Sequence, residues 1–312
     1  MSPKRPEILD GLFGISPQIP NSDLQAVWAD YQRARRAGLD PMRAAVQVAS
    51  KVDRLGLAFA IGYPAALQQM LPGLDFPCAL CVTESEGNHP RAIRTTLRRT
   101  PAGYQLDGEK TFVTFGDRAS RLLVAARSGE QPDGRPEIAL VNIGADRGGV
   151  ELSGRLPSPF VPEVLHARLT LNAVQVGDGE RLPGDGYLRY VKPFRTIEDI
   201  HVLASTAAYL IGLLRRTEGP ASLLARLGAL LIALDALRQA EPLDPHVHLA
   251  LHGIHETLMD LLAAESFSAA WAAADEEERE RWERDQVLLS VASSAREARF
   301  RKAASQLGLQ AE

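Results

Sequence analysis

Two short stretches carry residues whose types and spacing suit the holding of a flat, polar-edged ring. The first is Cys81-Val82-Thr83-Glu84-Ser85-Glu86-Gly87-Asn88-His89-Pro90, leading into Ala92-Ile93-Arg94-Thr95. The second is Leu106-Asp107-Gly108-Glu109-Lys110-Thr111-Phe112-Val113-Thr114-Phe115-Gly116. In each, a strand-like run leads into a polar loop with small residues. Gly87 lets backbone come close to a ligand. Thr83 and Thr114 supply hydroxyls that donate or accept, and Phe112 offers an aromatic face. The same residue types also serve plain ends, Phe112 as core and the Thr/Gly loops as ordinary connections.

Two other sets have ligand-like spacing. Cys78 and Cys81 form a Cys-x-x-Cys pair, the pattern of a redox couple or half a zinc site. Their flanks, Phe76, Ala79, Leu80 and Val82, read as a strand. There, three residues span roughly 10 Å and the two thiols point to opposite faces. A disulfide needs Cα atoms within about 7 Å, and no second cysteine pair exists to complete a zinc site. Two packed thiols is the plainer reading. His248, His252 and His255 lie at i, i+4 and i+7, with Glu256 beside them and His246 upstream. That puts three imidazoles on one helical face, either a zinc-ligand arrangement or the polar face of a bundle helix. Nothing else in the chain supplies a matching ligand set, so no metal is expected.

The elements that must position these residues fall into three blocks. Leu24, Val27, Trp28 and Tyr31 recur at helical spacing behind Asp23, and Gly38 closes that helix. Asp40-Pro41 starts the next, with Asp as N-cap and Pro at the first helical position. Residues 55–70 continue as apolar helix, interrupted near Pro64. From Leu74 to Val176 the signals are strands and turns. Strands are expected over residues 76–83, 93–99, 104–106, 110–114, 122–126 and 138–143, with a further one marked by alternating Leu165, Ala167, Leu169 and Leu171. The connections are too short for crossover helices, so the domain is expected to be antiparallel. After Pro183-Gly184-Asp185-Gly186 come helices over 187–216, 221–239 and 245–267, then one long helix over about 275–307. The fold class that follows is α+β. A helical region (1–73) precedes a central antiparallel β domain (74–182) and a C-terminal four-helix bundle (183–312).

Composition narrows the partners. The chain has 312 residues, 45% of them hydrophobic, ample for a real core. A formal net charge of -4 gives no reason to expect nucleic acid. No signal-type apolar run follows Met1 to Pro6. The greasy stretch from Leu223 to Leu237 contains Arg226 and Asp235 and is too short to span a bilayer. A cytoplasmic location without membrane insertion is therefore expected.

Taken together and in this order, the two stretches resemble the acyl-CoA dehydrogenase family. Its middle domain carries Thr-Glu-Pro-x-x-Gly-Ser-Asp and, downstream, Gly-Glu/Gln-Lys-x-Trp/Phe-Ile-Thr-Asn-Gly. Thr83-Glu84 and Gly87-Asn88 match the first motif with changes. Gly108-Glu109-Lys110-Thr111-Phe112-Val113-Thr114 matches the second closely. The likeness runs on through Leu122 to Ala126, Leu169 to Val176, and Leu182-Pro183-Gly184-Asp185-Gly186-Tyr187. The resemblance implies FAD held between the β domain and the four-helix bundle. Val82, Thr83, Gly87 and Asn88 would face the flavin ring or a thioester. Phe112 would cover the ring and Thr114 would hydrogen-bond near its reactive nitrogen. It further implies α,β-dehydrogenation of an acyl-CoA or acyl-carrier thioester, an electron-transfer partner and a homo-oligomer.

This sequence departs from the family pattern in several places. The first loop is one residue short, with Ser85, Asn88 and His89 where Pro, Ser and Asp are usual. The family's usual base, a glutamate after the last long helix, finds no counterpart where the sequence runs out at Gly308 to Glu312. Arg215-Arg216-Thr217-Glu218-Gly219 stands where members carry Arg-x-x-Phe-Gly. Members with the base on the first C-terminal helix would place it at Ile197, beside Glu198 and Asp199. Glu198 and Asp199 are the candidate bases, Glu198 foremost, and an exposed acidic patch is the plain alternative. Two functions remain open on this reading. One is an FAD-dependent oxidoreductase of acyl thioesters. The other is a non-catalytic homologue keeping the fold as a binding or structural subunit.

Overall fold

Asp23 and Asp40 open the first two helices as their spacing predicts. The Asp23 carboxylate accepts from the Ala26 amide at 2.7 Å and that of Asp40 from Arg43 at 3.1 Å, satisfying amides with no intrahelical partner. The structure is a computed structural model that describes residues 6–14, 23–156 and 158–310. Its contacts divide the chain into two units, residues 70–195 and residues 1–69 together with 196–312.

The helices are α1 (Leu24–Arg36), α2 (Pro41–Ala49), α3 (Leu55–Met70), α4 (Lys192–Arg216), α5 (Ala221–Leu237), α6 (Pro245–Ala263), α7 (Glu265–Ala272), α8 (Glu276–Asp285), α9 (Leu288–Val291) and α10 (Ser293–Gln306). A π-helical turn, Tyr187–Val191, leads into α4. Tyr187–Arg216 is long and apolar enough to cross a membrane, but 78% of its apolar window is buried in protein, as in a core helix.

Three helical readings change. The expected interruption at Pro64 does not occur, and α3 runs through it. Proline has no amide to bond the Ala60 carbonyl. That carbonyl accepts instead from the Trp28 indole at 2.9 Å. The third C-terminal helix breaks at Ala264, whose backbone is extended, giving α6 and α7. The long last helix breaks into α8, α9 and α10. The Ser290 hydroxyl bonds back to the Val287 carbonyl at 2.8 Å, competing with the helical ladder. The Leu289 carbonyl meets His255 Nε2 at 3.3 Å.

The β unit holds seven strands: β1 (Cys78–Cys81), β2 (Thr96–Thr100), β3 (Gly103–Thr114), β4 (Arg121–Glu130), β5 (Pro136–Gly144), β6 (Val150–Leu156) and β7 (His166–Val176). The order is β1-β4-β2-β3-β7-β6, with β5 on β4. Most pairings are antiparallel, but β4 pairs in parallel with β1 (Cys78↔Arg121) and touches β2 in parallel (Thr96↔Arg127). No crossover helix is needed, because the β2–β3 hairpin and its flanking loops bring the chain from β1 back to the start of β4. The core is read off the alternation: Leu122, Val124 and Ala126 on β4 pack with Ala139, Val141 and Ile143 on β5 and with Leu169 and Leu171 on β7.

Candidate functional site

The loop after β1 is fastened to β3 residue by residue. The Thr111 amide donates to the Thr83 carbonyl at 2.9 Å, and the Thr111 hydroxyl reaches the same oxygen at 3.3 Å. The Lys110 ammonium lies 3.4 Å from the Val82 carbonyl, 2.6 Å from that of Ala125 and 2.7 Å from Glu84 Oε1. All three of its donors are thereby used. Glu84 in turn accepts from the Arg94 amide (2.6 Å), the Thr95 amide (3.1 Å) and the Thr95 hydroxyl (2.7 Å). Lys110 is 1% exposed and Glu84 7%. Burial works against the Glu84 carboxylate, but Lys110 and these hydrogen bonds outweigh it and hold its pKa below the usual value. Burial pulls Lys110 down, with Glu84 acting against the fall.

Two glycines permit this arrangement. Gly87 closes a tight turn in which Glu84 and Gly87 exchange amide-to-carbonyl bonds at 2.9 Å each. Its φ of +112° suits glycine, and the space where a Cβ would stand is open. Gly108, at φ +145°, lies so close to β2 that a Cβ would fall 2.6 Å from Thr95 Cα. The Gly108-Glu109-Lys110 run thus joins a close backbone approach to a buried cation.

On the outer side of this frame stands Phe112, 56% exposed. Thr114, two residues along the strand, shares its face and is half-buried. Directly across from Thr114 is His166 on β7, whose ring meets Phe112 edge-on at 6.2 Å and 76°. Burial lowers the pKa of His166, favouring the neutral ring. Thr83 is half-buried and Val82 is buried at 8%, while Asn88 is exposed beyond the turn. Val82, Thr83, Phe112 and Thr114 therefore lie on or beside one stretch of β3, with Gly87 and Asn88 on the adjoining turn. Half-buried hydroxyls, an open glycine turn and an uncovered aromatic face suit a flat heteroaromatic ring with polar edges. The β unit also carries a cleft of about 370 Å³, lined by none of these six residues. Its apolar lining includes Pro90, Pro136, Ile138 and Leu188, and its polar lining includes His89, Arg91 and Arg135.

Glu84, Lys110, Thr95 and His166 were not singled out by spacing. Lys110 did leave a signal, a cation at the head of the strand-forming run 110–114, which calls for a counter-charge once buried, whereas Glu84, in a polar loop beside Glu86, left none. His166 left none, since only the β3–β7 register brings it to Phe112.

Glu198 belongs to the helical unit, half-buried on α4. Its neighbour Asp199 is committed elsewhere: Arg296 lies 3.4 Å from one carboxylate oxygen, and Arg299 bonds the other. Arg216 bonds the buried Glu278 at 2.5 Å and Arg215 the Leu12 carbonyl at 3.0 Å, so both arginines of the Arg215–Gly219 segment have partners within their own unit. Glu312 lies outside the described residues. The three histidines that share one face of α6 go separate ways. His248 Nε2 lies 3.0 Å from the Pro242 carbonyl and 3.3 Å from the Thr196 hydroxyl, His252 stacks on Phe300 at 3.9 Å, and His255 meets Leu289. Among the described residues no cluster of three potential ligands could hold a metal. Cys78 and Cys81 are free and buried, and burial pushes both thiols up to about 12, which suppresses thiolate chemistry.

Comparison with known proteins identifies the fold. The structure matches PigA solved with FAD and proline (TM-score 0.66, 15% identity, covering 92% of this chain and 89% of that one). It matches the prolyl acyl carrier protein oxidase AnaB (0.64, 18%, 92% and 90%). It also matches butyryl-CoA dehydrogenase from Megasphaera elsdenii (0.63, 15%, 89% and 85%). The chain has the acyl-CoA dehydrogenase-like α+β fold, with helices before and after the sheet. In sequence it is 25% identical over 143 residues to benzylmalonyl-CoA dehydrogenase of Aromatoleum aromaticum, a match spanning 44% of this chain and 35% of that protein. No family model matches the chain.

Proposed function

We propose that this protein is an FAD-dependent oxidoreductase of the acyl-CoA dehydrogenase type, removing the α- and β-hydrogens of an acyl thioester. The observation that carries the reading is the exposed ring of Phe112, held on a strand whose buried side is pinned by Lys110, with Thr114 on the same face and Thr83 alongside. Phe112 is one of several large apolar side chains left exposed, and what supports the reading is its place in the Gly108–Thr114 motif with hydroxyls beside it, where a stacked flavin would cover the ring. Bound FAD supplies the hydride acceptor for the β-carbon. Phe112 would pack against the ring, and the hydroxyls of Thr83 and Thr114 would bond its polar edge. Val82, Gly87 and Asn88 would line the approach of ring and thioester. Glu198 is the candidate acceptor of the α-proton, which demands hydrogen-bond reach in the loaded protein. The cleft of the β unit supports a thioester on CoA or a carrier protein, since apolar walls edged by His89, Arg91 and Arg135, against the single carboxylate of Asp185, suit an anionic, flexible arm. An electron-accepting partner, a homo-oligomer and a cytoplasmic location complete the proposal.

Visible absorption of the protein as purified, and again after excess FAD and desalting, tests it. Retained flavin bands are the expected outcome, and Phe112→Ala with Thr114→Ala is expected to weaken retention at least tenfold. Protein that keeps no flavin in either sample would favour the non-catalytic reading, in which the fold serves as a binding or structural subunit.

A further inference from the structure

We infer that the buried Glu84–Lys110 ion pair is a positioning device that presets the flavin-facing loop, and that FAD affinity depends on it beyond its share in stability. The inference rests on the flavin reading above and adds the residues that set the shape of that site. Neither side chain presents itself to a ligand, since both are buried. Their bonds instead end on the backbone of the residues that would do so. Lys110 takes the Val82 carbonyl, and its neighbour Thr111 takes that of Thr83. Two carbonyls of the flavin-facing loop are thus held by consecutive residues of β3.

The far side of the loop is held by the other partner. Glu84 receives the amides of Arg94 and Thr95, so one carboxylate ties the entry of the 84–87 turn to the segment that leaves it. Lys110 also reaches the Ala125 carbonyl on β4, so the knot is anchored in the sheet as well as in the loop. Phe112 follows Lys110 by two residues on the same strand. Between Lys110 and Val113 the β3–β7 register shifts. The ammonium therefore fixes the last residue in register before that irregularity, from which Phe112 is presented. A preformed site loses less freedom on binding, so loosening the knot should appear as lost affinity.

The experiment compares wild type with Lys110→Met, Glu84→Gln and, as a control for stability alone, Leu169→Ala in the β7 core. FAD affinity is read by quenching of flavin fluorescence, and amide hydrogen exchange is read on the flavin-free proteins. In folded Lys110→Met, the Kd for FAD is expected to rise at least tenfold. Amides of residues 83–95 should exchange at least tenfold faster, with β7 unchanged. Glu84→Gln keeps one oxygen, which can stand at the Oε1 position for Lys110 and Thr95, and loses the acceptor of the Arg94 amide, so a two- to fivefold rise is expected. Leu169→Ala should leave Kd within twofold at temperatures where it is folded. Exchange and Kd both within twofold of wild type in Lys110→Met would overturn the inference, as would an equal Kd rise in the control. If Lys110→Met fails to fold, Glu84→Gln decides by the same criteria. If wild type binds no FAD, the exchange arm decides alone. Faster exchange upholds the fastening and leaves the flavin reading as the part that failed, and unchanged exchange overturns the fastening too.

Discussion

The β unit and the helical unit each carry polar residues spaced as a site would need, and they use them in opposite ways. In the β unit, Glu84, Thr95 and Lys110 come from three separate segments and converge on one buried knot, leaving Phe112, Thr83 and Thr114 outside it. In the helical unit, His248, His252 and His255 share one helical face, yet each turns to a different neighbour. Shared spacing puts side chains on a common face. Convergence depends on what the facing element presents. Opposite α6 stand a ring, Phe300, and the Leu289 carbonyl exposed by a helix break, each claiming one imidazole. Opposite β3 stands one carboxylate that can receive several donors at once.

Breaking the β knot should cost most. Glu84→Ala leaves the Lys110 ammonium buried without its counter-charge and two amides without their acceptor, and is expected to destabilise by about 3–5 kcal/mol. Denaturant unfolding measures it, and a loss below about 1 kcal/mol would mean the knot contributes little.

The next effect lies in the helical unit and sharpens the contrast, because there burial outweighs the one hydrogen bond that a buried imidazole makes. His201 is 1% exposed. Its Nδ1 lies 2.7 Å from the Ile197 carbonyl, and Nε2 has no hydrogen-bond partner. Burial lowers its pKa from 6.5 to about 4, with the Ile197 bond opposing and Arg238 adding. The unfolded chain then binds a proton between those values that the native protein does not. Stability therefore falls as pH drops from 6.5 toward 4, by about 3 kcal/mol from this group. His201→Leu should remove that part of the slope. Variant and wild type with the same pH dependence would show that His201 is not its source.

The smallest effect tests the dispersed face itself. His252→Ala forfeits the stack on Phe300 and is expected to cost about 1 kcal/mol. Equimolar zinc should leave the melting temperature of wild type unmoved. A zinc-dependent rise lost in His252→Ala would make α6 a metal site and erase the comparison.

Much of the frame was legible from local chemistry. Asp23 and Asp40-Pro41 announce helix starts because their side chains and ring geometry act within a few residues. The strand reading separated Cys78 from Cys81 because alternation is equally local. The motif around Gly108 to Thr114 falls within one strand, β3. Legibility stopped where the partner is remote. Pro64 reads as a break until the Trp28 indole takes the Ala60 carbonyl. Asp199 reads as a twin of Glu198 until Arg296 and Arg299, about a hundred positions away, claim it. The parallel pairing of β1 with β4 has no signature in either strand, since the residues that return the chain between them are strands themselves.

The sequence by itself determined several helix starts, among them Asp23 and Asp40-Pro41, and which strand faces are apolar. All of these follow from forces acting within a turn or a pleat. Only the tertiary structure decided that Glu84 and Lys110 are buried partners while Phe112 stands uncovered, and that Asp199 and the histidines of α6 are already engaged. Burial and pairing depend on segments far apart in the chain, and a charged side chain becomes a fastener, a ligand or a surface group according to what the folded neighbours leave for it to meet.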